Sequence, residues 1–177
     1  MSKREPFRAC GVSIPQPWAS LICCDLSRPD ARRRMYARSC AVLPWGTDYR
    51  GELVIQAAAE PDARRELLRI SSGSQAEAVG RALLRILYGA RPPEDKTWQD
   101  AILMVADLPT LLPRRAILAR ARLRRCREIS DALVETLPAH EQTIHQWPAG
   151  WYVWEFRDVR PIVPVSRNDA PGRLWPY

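Results

Sequence analysis

Proline sets the first limit on this chain. Sixteen prolines stand against eight glycines in 177 residues. Each fixes φ and removes a backbone donor, so the chain must fold as many short elements joined by stiff turns, not as a few long helices. The length suits one domain of ordinary size, spanning residues 1–177. A chain of this size hides roughly two-thirds of its unfolded surface on folding, so neither a metal nor a disulfide is needed as a staple. Its 46% apolar and 27% charged content is that of a globular protein. The longest apolar runs, such as Ala101 to Ala106, fall far short of a membrane span. The charged start, Met1 to Arg8, is followed by no apolar h-region. A cytoplasmic protein with no membrane partner is expected.

The basic residues narrow the chemistry. Of 27, only Lys3 and Lys96 are lysine and 25 are arginine, and the formal net charge is +7. A guanidinium stays charged at working pH, so it serves neither as a general base nor as a free-amine nucleophile. It forks onto phosphates and stacks on bases instead. Such a surface also serves solubility alone.

Other chemistries lack their residues. Cys10, Cys23, Cys24, Cys40 and Cys126 are odd in number and contain no C-x-x-C pair, which reads as reduced thiols acting as small core residues. His140 and His145 are five apart, not four apart on a helix with a Glu between them. No metal and no cofactor is expected. There is no G-x-S-x-G elbow, no phosphate-cradling glycine loop and no dinucleotide fingerprint.

Along the chain, residues 9–14 read as a strand stopped by Pro15-Gln16-Pro17, and a helix follows from Trp18 to Cys24. Residues 25–34 read as a loop or frayed helix, Met35 to Cys40 as a strand, and the stretch from Leu43 to Asp48 as a turn. Gly51 to Ala58 is a buried strand. Helices are expected from Pro61-Asp62, over Gln75 to Tyr88 with Gly89 as cap, and over Thr97 to Ala106. Ala116 to Cys126 switches to period two, placing Ile117, Ala119, Ala121 and Leu123 on one side and Leu118, Arg120, Arg122 and Arg124 on the other. A short helix over Ser130 to Leu137 and two closing strands, Trp151 to Phe156 and Pro161 to Val165, complete the chain. His140 and His145 fall in a proline-flanked polar segment. Strands at both ends with helices between them give an α+β domain whose sheet curls into a small barrel.

Two stretches carry a resemblance. One is Ser13-Ile14-Pro15-Gln16-Pro17-Trp18-Ala19-Ser20-Leu21-Ile22, then Arg38-Ser39 and Tyr49-Arg50-Gly51-Glu52-Leu53-Val54-Ile55. The other is Gly150-Trp151-Tyr152-Val153-Trp154-Glu155-Phe156, then Asp158-Val159-Arg160-Pro161-Ile162 and Leu174-Trp175. Together they resemble the ASCH domain family of the PUA-like superfamily, from Gly11 to Trp175. The resemblance implies a PUA-like small mixed β-barrel with helices inserted between strands, a cleft beside the first helix, and RNA or other nucleic acid as partner. Some members of that family hydrolyse N4-acetylated cytidine, and others are reported as ribonucleases. The family's G-x-K-x-x-E-x-R run is altered here: Arg33 takes the Lys position, Tyr36 the Glu or nucleophilic Thr position, and Arg38 the Arg position. Gln56 stands where a His is often found. Arg33 cannot give up a proton and Tyr36 is a poor substitute for a Thr hydroxyl, so binding is expected rather than catalysis.

The expected nucleic-acid-binding residues are Gln16, Trp18, Arg33, Arg38, Tyr49, Arg50, Arg120, Arg122 and Arg124. Trp18 either stacks on a base or anchors the first helix in the core. Gln16, held between prolines, either pairs with a base edge or completes a turn. Tyr49-Arg50-Gly51 either reaches a phosphate or forms a hairpin turn. Arg33 and Arg38 line the cleft in what the resemblance implies. Arg120, Arg122 and Arg124 either track a phosphate backbone or form a solvated face. Tyr152, Trp154 and Phe156 are expected to fill the barrel. The alternative function is a nucleoside or RNA hydrolase with another nucleophile or base: Ser39, Tyr36 or Lys96.

Overall fold

Short apolar runs between prolines make the strands, and longer helical periods fill the middle of the chain. The computed structural model describes residues 10–23, 39–58, 63–89, 91–108, 111–166 and 175–176. In chain order these form β1 (Cys10–Ile14), α1 (Trp18–Cys23), β2 (Cys40–Leu43), β3 (Gly51–Ala57), α2 (Ala63–Ser71), α3 (Ala76–Tyr88) and α4 (Trp98–Asp107). Then follow β4 (Ala116–Glu128), α5 (Asp131–Glu135), α6 (Ala139–Ile144), β5 (Tyr152–Ser166) and β6 (Trp175–Pro176). The strands lie in the order β2-β5-β4-β3-β1-β6. β1 pairs with β3 in parallel, and the other pairs are antiparallel. The five longer strands curl into a half-barrel. The α+β class and the barrel-like sheet expected from the sequence are therefore present in this coarse form. No helix among the described residues is long and apolar enough to cross a membrane.

Two main cores flank α1. Ala19 and Ile22 pack with Val12, Leu53, Ala121, Leu123 and the fully buried Trp154 of the sheet. Leu21 packs with Leu67, Val79, Leu83 and Ile102 of the helical layer. Trp18 touches both. Trp154 and Phe156 fill the barrel side as the alternation predicts, with Tyr152 half-buried against them. The Trp154 indole donates to the Trp45 carbonyl at 3.0 Å, and the two rings meet edge to face. In the helical layer α3 lies so close to α4 that a Cβ on Gly80 would stand 2.5 Å from the Trp98 carbonyl oxygen. α4 opens with a capping box: Thr97 Oγ1 accepts from the Asp100 N–H at 3.2 Å, and Asp100 accepts from the Thr97 N–H at 2.7 Å.

The structure corrects the sequence reading in four places. Leu118 is skipped in the pairing of β4 with both neighbours, because Ile117 pairs with Gln56 and Val165 while Ala119 pairs with Ile55 and Pro161. That bulge flips the alternation. Leu118 therefore joins Ala119, Ala121 and Leu123 in the barrel core, and Ile117 crosses to Val54 and Ile162 on the other face. The two closing strands are one, β5, which runs through Pro161 and Pro164. Among the described residues β2 pairs with Tyr152–Glu155 alone, so Pro161 and Pro164 lie where β5 is paired on one side only, by β4, a place where prolines are tolerated in a sheet. The polar segment around His140 contains a helix, α6, that begins directly after Pro138. The strand expected to end at Cys40 runs instead over Cys40–Leu43, into the expected turn; Met35 to Arg38, the 25–34 loop and the Pro61-Asp62 helix start lie outside the described residues.

Candidate functional site

The period-two pattern of β4 puts Arg120, Arg122 and Arg124 outward and exposed, between the buried Ala119, Ala121 and Leu123. The register with β5 shifts again between Arg120 and Arg122, and a further bulge between Leu123 and Arg125 turns Arg125 outward too and brings Cys126 back toward Trp154. β5 adds more of the same charge. Arg120 pairs directly with Arg160, and Arg122 with Arg157, all four exposed. Like charges opposite one another across a ladder destabilise a sheet. Local acids relieve this row in part: Glu52 stands across β3 from Arg122, and Asp158 lies 3.8 Å from Arg157.

Beside the row is a pocket of about 560 Å³. Arg124, Arg125, Arg127 and Arg157 line it with Phe156 and Ser39. That volume is the size of a small-ligand site. Arg127 is held by Glu155, whose Oε1 accepts from its Nε at 3.0 Å. The other guanidiniums at the rim, Arg124, Arg125 and Arg157, are spread along two strands.

Four of the remaining expected residues, Gln16, Trp18, Tyr49 and Arg50, make contacts within the fold. Gln16 is 3% exposed and lies in the turn before α1. Its Nε2 donates to Ser20 Oγ at 2.9 Å and to the Pro113 carbonyl, and its Oε1 accepts from the Ser20 N–H at 3.1 Å. Trp18 is half-buried and stacks on His145, with ring centroids 6.0 Å apart. Arg50 folds back on its own turn, donating to the Thr47 and Tyr49 carbonyls and reaching the Cys126 carbonyl at 3.4 Å. Burial raises the Tyr49 phenol above its ordinary pKa, and the hydroxyl donates to the Glu52 carbonyl. Gln16 lies in the turn before α1 and Trp18 opens that helix against the barrel core, whereas Arg120 and Arg122 alternate away from that core. The arginine row is thus brought together, and it is separated from Gln16 and Trp18. Arg33, Arg38 and Tyr36 lie outside the described residues. Lys96 is near Asp95 at 3.4 Å, in the turn before α4.

A second polar group was missed by sequence reasoning. Cys40, Glu141 and His145 are all buried, at 1%, 0% and 7% exposure. Cys40 Sγ is 3.2 Å from Glu141 Oε2 and 3.4 Å from His145 Nε2, which in turn is 3.1 Å from Glu141 Oε2. Glu141 Oε1 accepts from the Ser39 hydroxyl at 3.0 Å and from the Ser39 N–H. The His145 ring is flanked by Trp18 and Trp147. The available signal was the Glu141-x-x-x-His145 spacing, which aligns two side chains on one helical face. Comparing His140 with His145 concealed it, and nothing local ties either residue to Cys40. Ser39 and Cys40 also border the arginine pocket. No protein-family model matches this sequence, and no curated protein matches it significantly.

Proposed function

We propose that this protein binds nucleic acid, holding a single strand along the outer face of β4 and β5 and seating a nucleotide in the adjoining pocket. The observation that carries this reading is the arginine-on-arginine pairing of Arg120 with Arg160 and Arg122 with Arg157. An anion between such pairs removes the repulsion that the empty sheet has to carry. Alternate residues on a strand are about 6.8 Å apart, a spacing on which successive phosphates of an extended strand can be met. The pocket offers the guanidiniums of Arg124, Arg125 and Arg157 for a phosphate. The α+β half-barrel agrees with the coarse architecture implied by the ASCH resemblance, in which Arg33 and Arg38 supply further cations to a cleft.

The test is fluorescence anisotropy with single-stranded RNA, single-stranded DNA and duplex oligonucleotides across a salt series. Affinity for single strands is expected to fall steeply with salt, with a log–log slope of about −0.7 for each phosphate neutralised. The double change Arg33→Ala with Arg38→Ala is expected to weaken binding with the melting temperature unchanged. Binding that ignores salt, or none to any oligonucleotide, overturns the reading.

One contact favours a second reading, hydrolysis of a nucleoside or RNA. Ser39 borders the pocket, and its hydroxyl already donates to the buried Glu141 carboxylate, the relation a nucleophile needs with a base. Turnover of N4-acetylcytidine or labelled RNA that disappears in Ser39→Ala selects this reading.

A further inference from the structure

We propose that Cys40, Glu141 and His145 bind one divalent transition-metal ion, with zinc the best match. This goes beyond nucleic-acid binding and does not depend on it. Three donor atoms of three chemical types converge: Sγ, Oε2 and Nε2, with separations of 3.2, 3.4 and 3.1 Å. A tetrahedral zinc ion with bonds of about 2.3 Å to sulfur and 2.0–2.1 Å to nitrogen and oxygen requires ligand–ligand edges of about 3.3–3.6 Å. The triangle is therefore one face of such a tetrahedron, contracted by a few tenths of an ångström. All ligand-type groups within it can meet on a single ion.

The charges agree with the burial. A thiolate and a carboxylate each carry one negative charge, and a divalent ion offsets the two in a place where burying like charges together is costly. On binding, Cys40 gives its thiol proton to solvent. His145 offers the Nε2 lone pair, which places its ring proton on Nδ1. A sulfur, an imidazole and a carboxylate suit zinc better than magnesium or calcium, which take oxygen ligands. Three protein ligands leave a fourth position for water or another small ligand. Cys40 itself borders the arginine pocket, so such a ligand need not come from within the fold.

The experiment uses the full chain, reduced and freed of metal with a chelator, and titrated with Co²⁺. The expected result is saturation at one equivalent, with the visible bands of a tetrahedral ion and a near-ultraviolet sulfur-to-cobalt band, all displaced by Zn²⁺. Cys40→Ser should abolish the sulfur band, and His145→Gln should weaken affinity at least about tenfold. Replacing Cys10, Cys23, Cys24 and Cys126 together by Ser should leave the spectrum in place. X-ray absorption of the one-equivalent zinc form of the wild-type chain should then show a single sulfur neighbour. No saturable spectrum from the folded wild-type chain overturns the proposal and leaves a hydrogen-bonded triangle only. Two or more sulfur neighbours, or loss of the spectrum in the four-serine chain, overturns it as well and assigns the metal to other thiols. Neither of those readouts depends on Cys40→Ser folding.

Discussion

Two polar regions meet at Ser39 and Cys40 and are built in opposite ways. The arginine row comes from one continuous run of β4 with its neighbour β5, is exposed, and sets like charges side by side. The Cys40–Glu141–His145 group is drawn from positions a hundred residues apart, is buried, and brings Sγ, Oε2 and Nε2 together within hydrogen-bond reach. Solvent lets the first tolerate repulsion because water screens it. Burial allows the second no such latitude, since an unmatched polar group there costs the full loss of hydration. Charge on display is available for a partner, whereas charge in the interior must first satisfy its neighbours.

The sharpest way to break this comparison is to remove the row. Arg120→Ala, Arg122→Ala and Arg124→Ala together should reduce single-stranded RNA affinity roughly 100-fold at low salt and make the salt slope shallower by about 2. The melting temperature should hold. A parallel loss of stability would mean that the row serves the fold.

Glu141→Ala probes the other region. It deprives buried Cys40 and His145 of a shared acceptor and should cost about 2–3 kcal/mol. For a chain of this size that lowers the melting temperature by about 5–10 °C. An unchanged thermal transition would show that the buried group carries no stability.

A local device away from both regions calibrates the scale. Thr97→Ala removes the cap of α4 and should cost about 1 kcal/mol, or about 2–4 °C. The Thr97 N–H and hydroxyl hold the Asp100 carboxyl below the usual carboxylate range. Its contribution is therefore complete above the unfolded carboxylate's pKa and is lost as pH falls through the lower folded value. Thermal melts in acid should show the wild-type chain and Thr97→Ala converging. The smallest effect tests the repulsion itself: Arg157→Glu places opposite charges at the pair with Arg122 and should raise stability by about 0.5 kcal/mol while weakening RNA binding. A fall in stability would contradict the cost assigned to the pair.

What the sequence made legible was whatever lies within one element. The helical period around Val79 and Leu83, the Thr97 start of α4 and the alternation of Arg120 and Arg122 all appear where expected, because each depends on neighbours a few residues away. The bulge at Leu118 was hidden because it is set by two partner strands, and one extra residue there exchanges the faces of Ile117 and Leu118. The burial of Gln16 was hidden because its partner is the Pro113 carbonyl, 97 residues on. The Cys40 group failed to show for the same reason. A cysteine, a helical Glu141 and the His145 that follows its helix become one site only after the sheet has placed β2 beside β5.

The six residues of α1 have a consequence larger than their length. With Ala19 and Ile22 committed to the barrel, Leu21 to the helices and Trp18 to both, neither layer can be dissolved while the other stays dry. Heating should accordingly melt sheet and helices in one cooperative step, with a calorimetric enthalpy equal to the van't Hoff value.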